Sequence, residues 1–331
     1  MAGADLTGVK DYLLEHTGLL TGFTTEFLAA AQEYGDLAEA ADFDYERLWE
    51  ERSDEVGPLV QRMKDLWVEG NPYYERVEGI VAGTPSLAEF DVAIDAGANG
   101  SEDPESAVPF DLTLSDGRVL KQPGNFYNLT EGALWGTLPE AVALEVPSTP
   151  TDLNGDGTVA FGEVLPDAVF LRAVAEEFDR YARDLAASAE AWQPSPSDAF
   201  TALVTMVPTM SEYFGQWKVS RFVLGDAASG EAFNVVSRLS DINDILSGLQ
   251  IIYAGVEPLV ASSNEAQSEQ TGSELGGLKA FIEDLYAQEQ SGKRFQPEEA
   301  DVLGEEAQQR GDAVAGQVSQ IAAALGVEIQ Q

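Results

Sequence analysis

Residues 48–70 read Leu-Trp-Glu-Glu-Arg-Ser-Asp-Glu-Val-Gly-Pro-Leu-Val-Gln-Arg-Met-Lys-Asp-Leu-Trp-Val-Glu-Gly. Leu48, Trp49, Val56, Leu59, Val60, Met63, Leu66 and Trp67 recur at intervals of three and four, which places them on one stripe of a helix with charge on the other side. The pattern predicts a helix that stops before Asn71-Pro72, because proline removes a backbone donor and clashes with the preceding turn. Residues 73–81 then form a short further helix. Upstream, Leu6, Val9, Leu13, Leu20, Phe23, Phe27 and Leu28 repeat the helical spacing, weakened in the middle by Gly18 and Gly22.

Downstream the period changes. Residues 97–109 are polar and rich in Gly, Pro and Ser, as in an exposed insertion. Phe110 to Leu120 alternates apolar and polar residues around Asp116-Gly117, the signature of a β-hairpin and the only sheet expected, within an insertion spanning about 97–123. Helix resumes over 125–144, a Pro-Ser-Thr-Pro-Thr linker follows, and further helices are predicted over 162–191, 198–224, 237–259, 274–290 and 298–325. Pro194 and Pro196 punctuate the first gap, Pro208 kinks its helix or lies at a joint, Pro258 ends another helix, and 262–272 reads as a polar loop. The chain is therefore all-α with one inserted hairpin. It divides into an N-terminal bundle over 1–146 and a C-terminal bundle over 147–331, or forms one continuous domain.

Composition narrows the function. Asp and Glu total 58 against 18 Lys and Arg, a formal net charge of −40. Nucleic acid is excluded as a partner, because a phosphate-binding surface needs clustered cations. Hydrophobic residues at 44% argue for a folded core despite the charge. Acids spread over nearly every helix, with lysine scarce, point to a halophilic protein whose self-repulsion is screened by salt. Without cysteine there is no disulfide, thiolate metal site or thiol nucleophile. No run of 18 apolar residues suggests a membrane span. The opening Met1-Ala2-Gly3-Ala4-Asp5 lacks the basic and apolar regions of a signal peptide, so the chain is either cytoplasmic or has lost a leader and anchor.

The most specific local pattern is Asp152-Leu-Asn154-Gly-Asp156-Gly157-Thr158-Val-Ala160-Phe-Gly-Glu163. An EF-hand-like calcium loop wants oxygen ligands at positions one, three, five and seven, glycine at six and a bidentate glutamate at twelve. Asp152, Asn154, Asp156, Thr158 and Glu163 meet those places, and Gly157 supplies the turn. Ala160 at position nine leaves a place for water. Pro147 and Pro150 forbid the entering helix of a complete EF-hand, so the reading is a structural calcium staple at the head of the following helix.

A second set of residues carries a resemblance. Asn71-Pro-Tyr-Tyr-Glu75-Arg-Val-Glu78, then Phe90-Asp-Val-Ala-Ile94-Asp95-Ala, and later Phe126-Tyr-Asn128-Leu-Thr130-Glu131-Gly-Ala-Leu134-Trp135 are similar to the imelysin family. Tyr213 to Ser220 and Ser240 to Leu246 fit its C-terminal helices loosely. The family's hallmark is Gly-x-His-x-x-Glu before Leu-Trp, and here Phe126 and Asn128 stand in the Gly and His places. The resemblance implies a double helical bundle and a metal site carried here by Glu78, Asp95, Asn128 and Glu131. It also implies an extracytoplasmic or cell-surface setting in bacterial iron uptake, with a membrane-anchored or copper-protein partner. An all-oxygen set suits calcium, magnesium, manganese or ferric iron better than softer ions. A peptidase, the other activity attributed to the family, needs a metal-bound water and a general base, and the missing His argues against it. The expected function is non-enzymatic capture of iron or another metal ion. The alternative is a surface structural or interaction domain that has lost the family site. His16, the one histidine, is expected at the surface or in a cap, and the five tryptophans in the core.

Overall fold

The computed structural model describes residues 3–228 and 233–330. Helix α1 (Thr7–Ala40) and helix α2 (Tyr45–Val81) are followed by short α3 (Ala88–Asp91) and a π-helical turn over Val92–Ala96. Strands β1 (Leu112–Thr113) and β2 (Val119–Leu120) form the expected hairpin, with Leu112 opposite Leu120. Then come α4 (Phe126–Trp135), α5 (Glu140–Ala143), β3 (Thr149–Pro150), β4 (Val164–Leu165) and α6 (Ala168–Ala191). The remainder is helical: α7 (Pro196–Met206), a 3-10 turn over Val207–Thr209, α8 (Met210–Val219), α9 (Arg221–Leu224), α10 (Arg238–Ser263), α11 (Glu265–Gln290) and α12 (Pro297–Leu325).

Two compact units interleave along the chain. The first comprises Met1–Gly18, Pro72–Phe90 and Leu185–Gln331, and the second Leu19–Asn71 and Asp91–Asp184. Helices α1, α2 and α6 each contribute residues to both. In the first unit α7, α8, α10, α11 and α12 surround a core in which Trp217 is fully buried, edge-on to Phe295 with ring centroids 5.0 Å apart. In the second, aromatic rings lock α4 in place. Phe126 stacks on Phe178 of α6 at 5.5 Å and on Phe110 at 4.7 Å, while Tyr127 meets Trp67 of α2 edge-on at 4.8 Å. Trp67 also approaches Phe23 of α1, whose ring leaves no room for a Cβ at Gly70.

Several expected boundaries move. Helix α2 does not stop at Asn71-Pro72 but runs through to Val81. Tyr74, Val77, Ile80 and Val81 continue the buried stripe begun by Val60, Met63 and Trp67, and this burial outweighs the roughly 3 kcal/mol cost of an interior proline. Likewise α10 continues past Pro258 to bury Val260. The polar stretch 262–272 is mostly helix, broken only at Asn264, whose side chain accepts from Gln267 N and caps α11. Its small polar residues Ser268 and Thr271 are buried, with the Ser268 carbonyl receiving Tyr253 Oη at 2.7 Å. The hairpin is not alone, for β3 and β4 make a second antiparallel pair across the neck of the 152–163 segment. The following helix begins at Ala168, so Glu163 lies outside its first turn and gains nothing from its dipole. Pro208 sits in the 3-10 joint between α7 and α8, with φ −88° and ψ 28°.

His16 corrects another expectation: it is buried on α1, its ring edge-on to Tyr12 at a centroid distance of 4.3 Å. Trp67 and Trp217 are core residues, whereas Trp49, Trp135 and Trp192 are half-buried. By length and composition α10 is apolar enough to cross a membrane, although much of it, including Ile242, Ile245, Leu249 and Ile252, is buried inside the first unit.

Candidate metal sites

The 152–163 loop is organised by its own side chains. Asp152 Oδ1 accepts from Gly155 N at 2.8 Å and Asp156 N at 3.2 Å, while Oδ2 accepts from Gly157 N at 2.8 Å. Asn154 Oδ1 accepts from Asp156 N, and Asp156 Oδ1 from both the amide and the hydroxyl of Thr158. These bonds hold the Asp156 carboxyl below the usual carboxylate range. Gly155 and Gly157 have φ of +74° and +90°, a region that side chains with a Cβ avoid. Glu163 is buried where the loop closes, its Oε2 accepting from Ala160 N at 2.7 Å and its backbone carbonyl from Thr151 N at 2.9 Å. Among the described residues, Asp152, Asp156 and Glu163 do not gather their carboxylates within 4.8 Å of one another.

Sequence reasoning missed Lys64. From α2 its ammonium donates to the Gly162 carbonyl and lies 5.4 Å from the centre of the Trp135 ring. Burial pushes its pKa down to about 8, against the opposing pull of the Glu163 carboxylate. Nothing in the linear pattern separates this lysine from others on polar helix faces.

In the second unit Asn125 ties the π-turn to α4. Its side-chain oxygen accepts from Asn128 N at 2.8 Å, capping the helix, and its amide donates to the carbonyls of Asp95 and Gly97. The Asp95 and Glu131 side chains are buried. Asn128 precedes Glu131 by three residues, so both lie on one face of α4. The Asn128 amide oxygen is buried and, among the described residues, receives no hydrogen bond. A buried acceptor left so costs roughly 1–3 kcal/mol unless water or a cation meets it.

Glu78 lies in the first unit with Glu75, one turn back on α2. Both are buried, with carboxylate oxygens within 4.8 Å of each other. Tyr213 Oη donates to Glu78 Oε1 at 2.7 Å. The Arg238 guanidinium, also buried, lies 3.5 Å from Glu75 Oε2, donates to Asp241 Oδ2 at 3.2 Å and to Gln216 Oε1 at 2.7 Å, and rests 3.6 Å from the Phe233 ring centre. Arg238 and Asp241 went unseen in the sequence because only folding brings α10 to α2.

The profile of the peptidase M75 family, imelysin, matches residues 60–320. The chain belongs to the imelysin family. No curated protein matches it. The matched span takes in α4 and the α2 carboxylates, and the helical architecture is the one the imelysin resemblance implies. Within this imelysin chain the one histidine, His16, is on α1 and lies in the other unit from α4.

Proposed function

We propose that this imelysin-family protein is a non-enzymatic, extracytoplasmic metal-ion-binding protein, serving iron or other metal-ion uptake and passing its ion to a membrane-anchored or copper-containing partner. The observation that carries the reading is the buried, hydrogen-bond-free Asn128 amide oxygen beside the buried Glu131 carboxylate on one face of α4. Asp95, Asn128 and Glu131 would hold the ion through oxygen alone, a donor set that fits manganese or ferric iron better than zinc or copper. Such an ion supplies positive charge to a buried acidic set. Asn125 orients the set by fixing the Asp95 turn and the first turn of α4. The lack of an imidazole on α4 disfavours peptidase chemistry. The 152–163 loop would hold a separate, structural calcium through Asp152, Asn154, Asp156, Thr158 and Glu163.

A second reading is a surface domain that keeps the fold without the metal. Arg238 favours it, since a permanent guanidinium already stands among Glu75 and Asp241. Elemental analysis of protein purified without affinity metals, followed by dialysis against manganese or ferric citrate, separates the two. Metal beyond calcium, lost in Glu131→Gln while calcium is retained, supports capture. Calcium alone, with neither manganese nor iron retained, removes the capture reading and leaves the structural one.

A further inference from the structure

We propose that an open cavity in the second unit binds a small organic cation with an apolar body. It shares no residue with the metal sets above. The cavity measures about 1040 Å³, ample for a drug-sized molecule, and is lined by the end of α1, the β1–β2 hairpin and the first turns of α6.

Three features select the charge of its occupant. Four carboxylates, Glu39, Asp116, Asp167 and Glu176, line it against two guanidiniums. Both guanidiniums are already engaged: Arg118 grips Asp167 through two nitrogens at 2.8 and 3.2 Å and Asp116 through Nε at 2.7 Å, and Arg172 donates to Glu176 at 3.0 Å. An anion would have to break these pairs against the field of a chain carrying a net charge of −40. Gly35 and Glu39 bring the C-terminal end of α1 to the wall, and its last turn contains no basic residue. That helix end carries partial negative charge, met in the cavity by Arg172, whose Nη1 lies 4.0 Å from Asp36 Oδ1, and it adds to the field that favours a cation.

The apolar body is selected by Phe43, which lines the cavity yet remains 43% exposed. Asp42 and Phe43 adopt φ of +52° and +58°, a conformation bulky side chains rarely take. The turn is held by Phe43 N donating to the Ala38 carbonyl at 2.8 Å, and it keeps an aromatic ring on the rim rather than in a core. Beside it, Tyr45 Oη accepts from Ala168 N at 2.7 Å, which fixes the second ring. An ammonium over an aromatic face with carboxylates around it is a general mode of amine recognition.

Calorimetric titration of the full chain with benzylamine in 0.5 M potassium chloride tests this, with benzyl alcohol as the uncharged control. Saturable one-to-one binding of the amine, at least about tenfold tighter than the alcohol, is expected. Phe43→Gly suits the turn's φ and removes the exposed benzyl side chain, so its melting temperature should match or exceed the wild type while amine affinity falls about fivefold, as for one cation–π contact. Glu39→Gln should weaken binding by a similar factor, and Glu305→Gln on α12 should not. No saturable heat, equal affinity for amine and alcohol, or wild-type binding by either cavity variant would overturn the assignment.

Discussion

Tyr213 on α8 donates a hydrogen bond from its phenolic hydroxyl to Glu78 Oε1 on α2 across 2.7 Å in the interior of the first unit. Removing a donor from a buried oxygen acceptor costs more than the bond itself contributes, because water cannot take its place. Tyr213→Phe should therefore lower unfolding free energy by about 1.5–3 kcal/mol. Glu78→Gln in the same background should add less than its separate cost, since the two residues share one interaction. Urea melts of the two single variants and the double variant measure the coupling, and strict additivity would count against it.

His16 sets a pH dependence. Burial, reinforced by Arg76, lowers its pKa below the usual 6.5, with Glu15 opposing. Between the folded and unfolded values the unfolded chain binds the proton and the folded chain does not, so stability falls as pH drops below 6.5 toward the folded value. The denaturation midpoint of the wild type should decline over that range more steeply than that of His16→Asn. Parallel curves for the two proteins would show that this imidazole is not coupled to folding.

Calcium should stabilise the second unit if the 152–163 loop holds it. An ion that binds only the folded state adds about 2.7 kcal/mol at a hundredfold excess over its Kd. In molar sodium chloride the wild type is expected to melt higher with calcium than with chelator, and Glu163→Gln to lose most of that difference. A wild type indifferent to calcium under these conditions removes the loop from the list of metal sites.

Salt should govern the whole chain. Many of its basic residues are spent in exposed ion pairs, some within single helices, such as Arg180 with Glu177 and Arg310 with Glu306, which contribute little each. The excess of acid is left to the solvent. Screening shortens from ~10 Å at 0.1 M to ~3 Å at 1 M, so the melting temperature should fall sharply on dilution from molar to low salt. A melting temperature constant across that range would exclude halophilic adaptation.

The amino-acid sequence alone determined the helical class, the hairpin around Asp116-Gly117 and the joint at Pro208, and it supplied the expectations for the calcium loop and the family site. These properties are local: periodicity, turn chemistry and the spacing of ligands within one turn or one loop. Only the tertiary structure decided that α2 survives Pro72, because the gain from burying Tyr74, Val77 and Ile80 is a property of what they pack against. It alone placed His16 in an interior and showed that α1, α2 and α6 each serve two units. It also brought Arg238 to Glu75, Tyr213 to Glu78 and Lys64 to Gly162. Such pairs join residues far apart in the chain, and their chemistry depends on distance and exclusion of water, which no pattern along the sequence records.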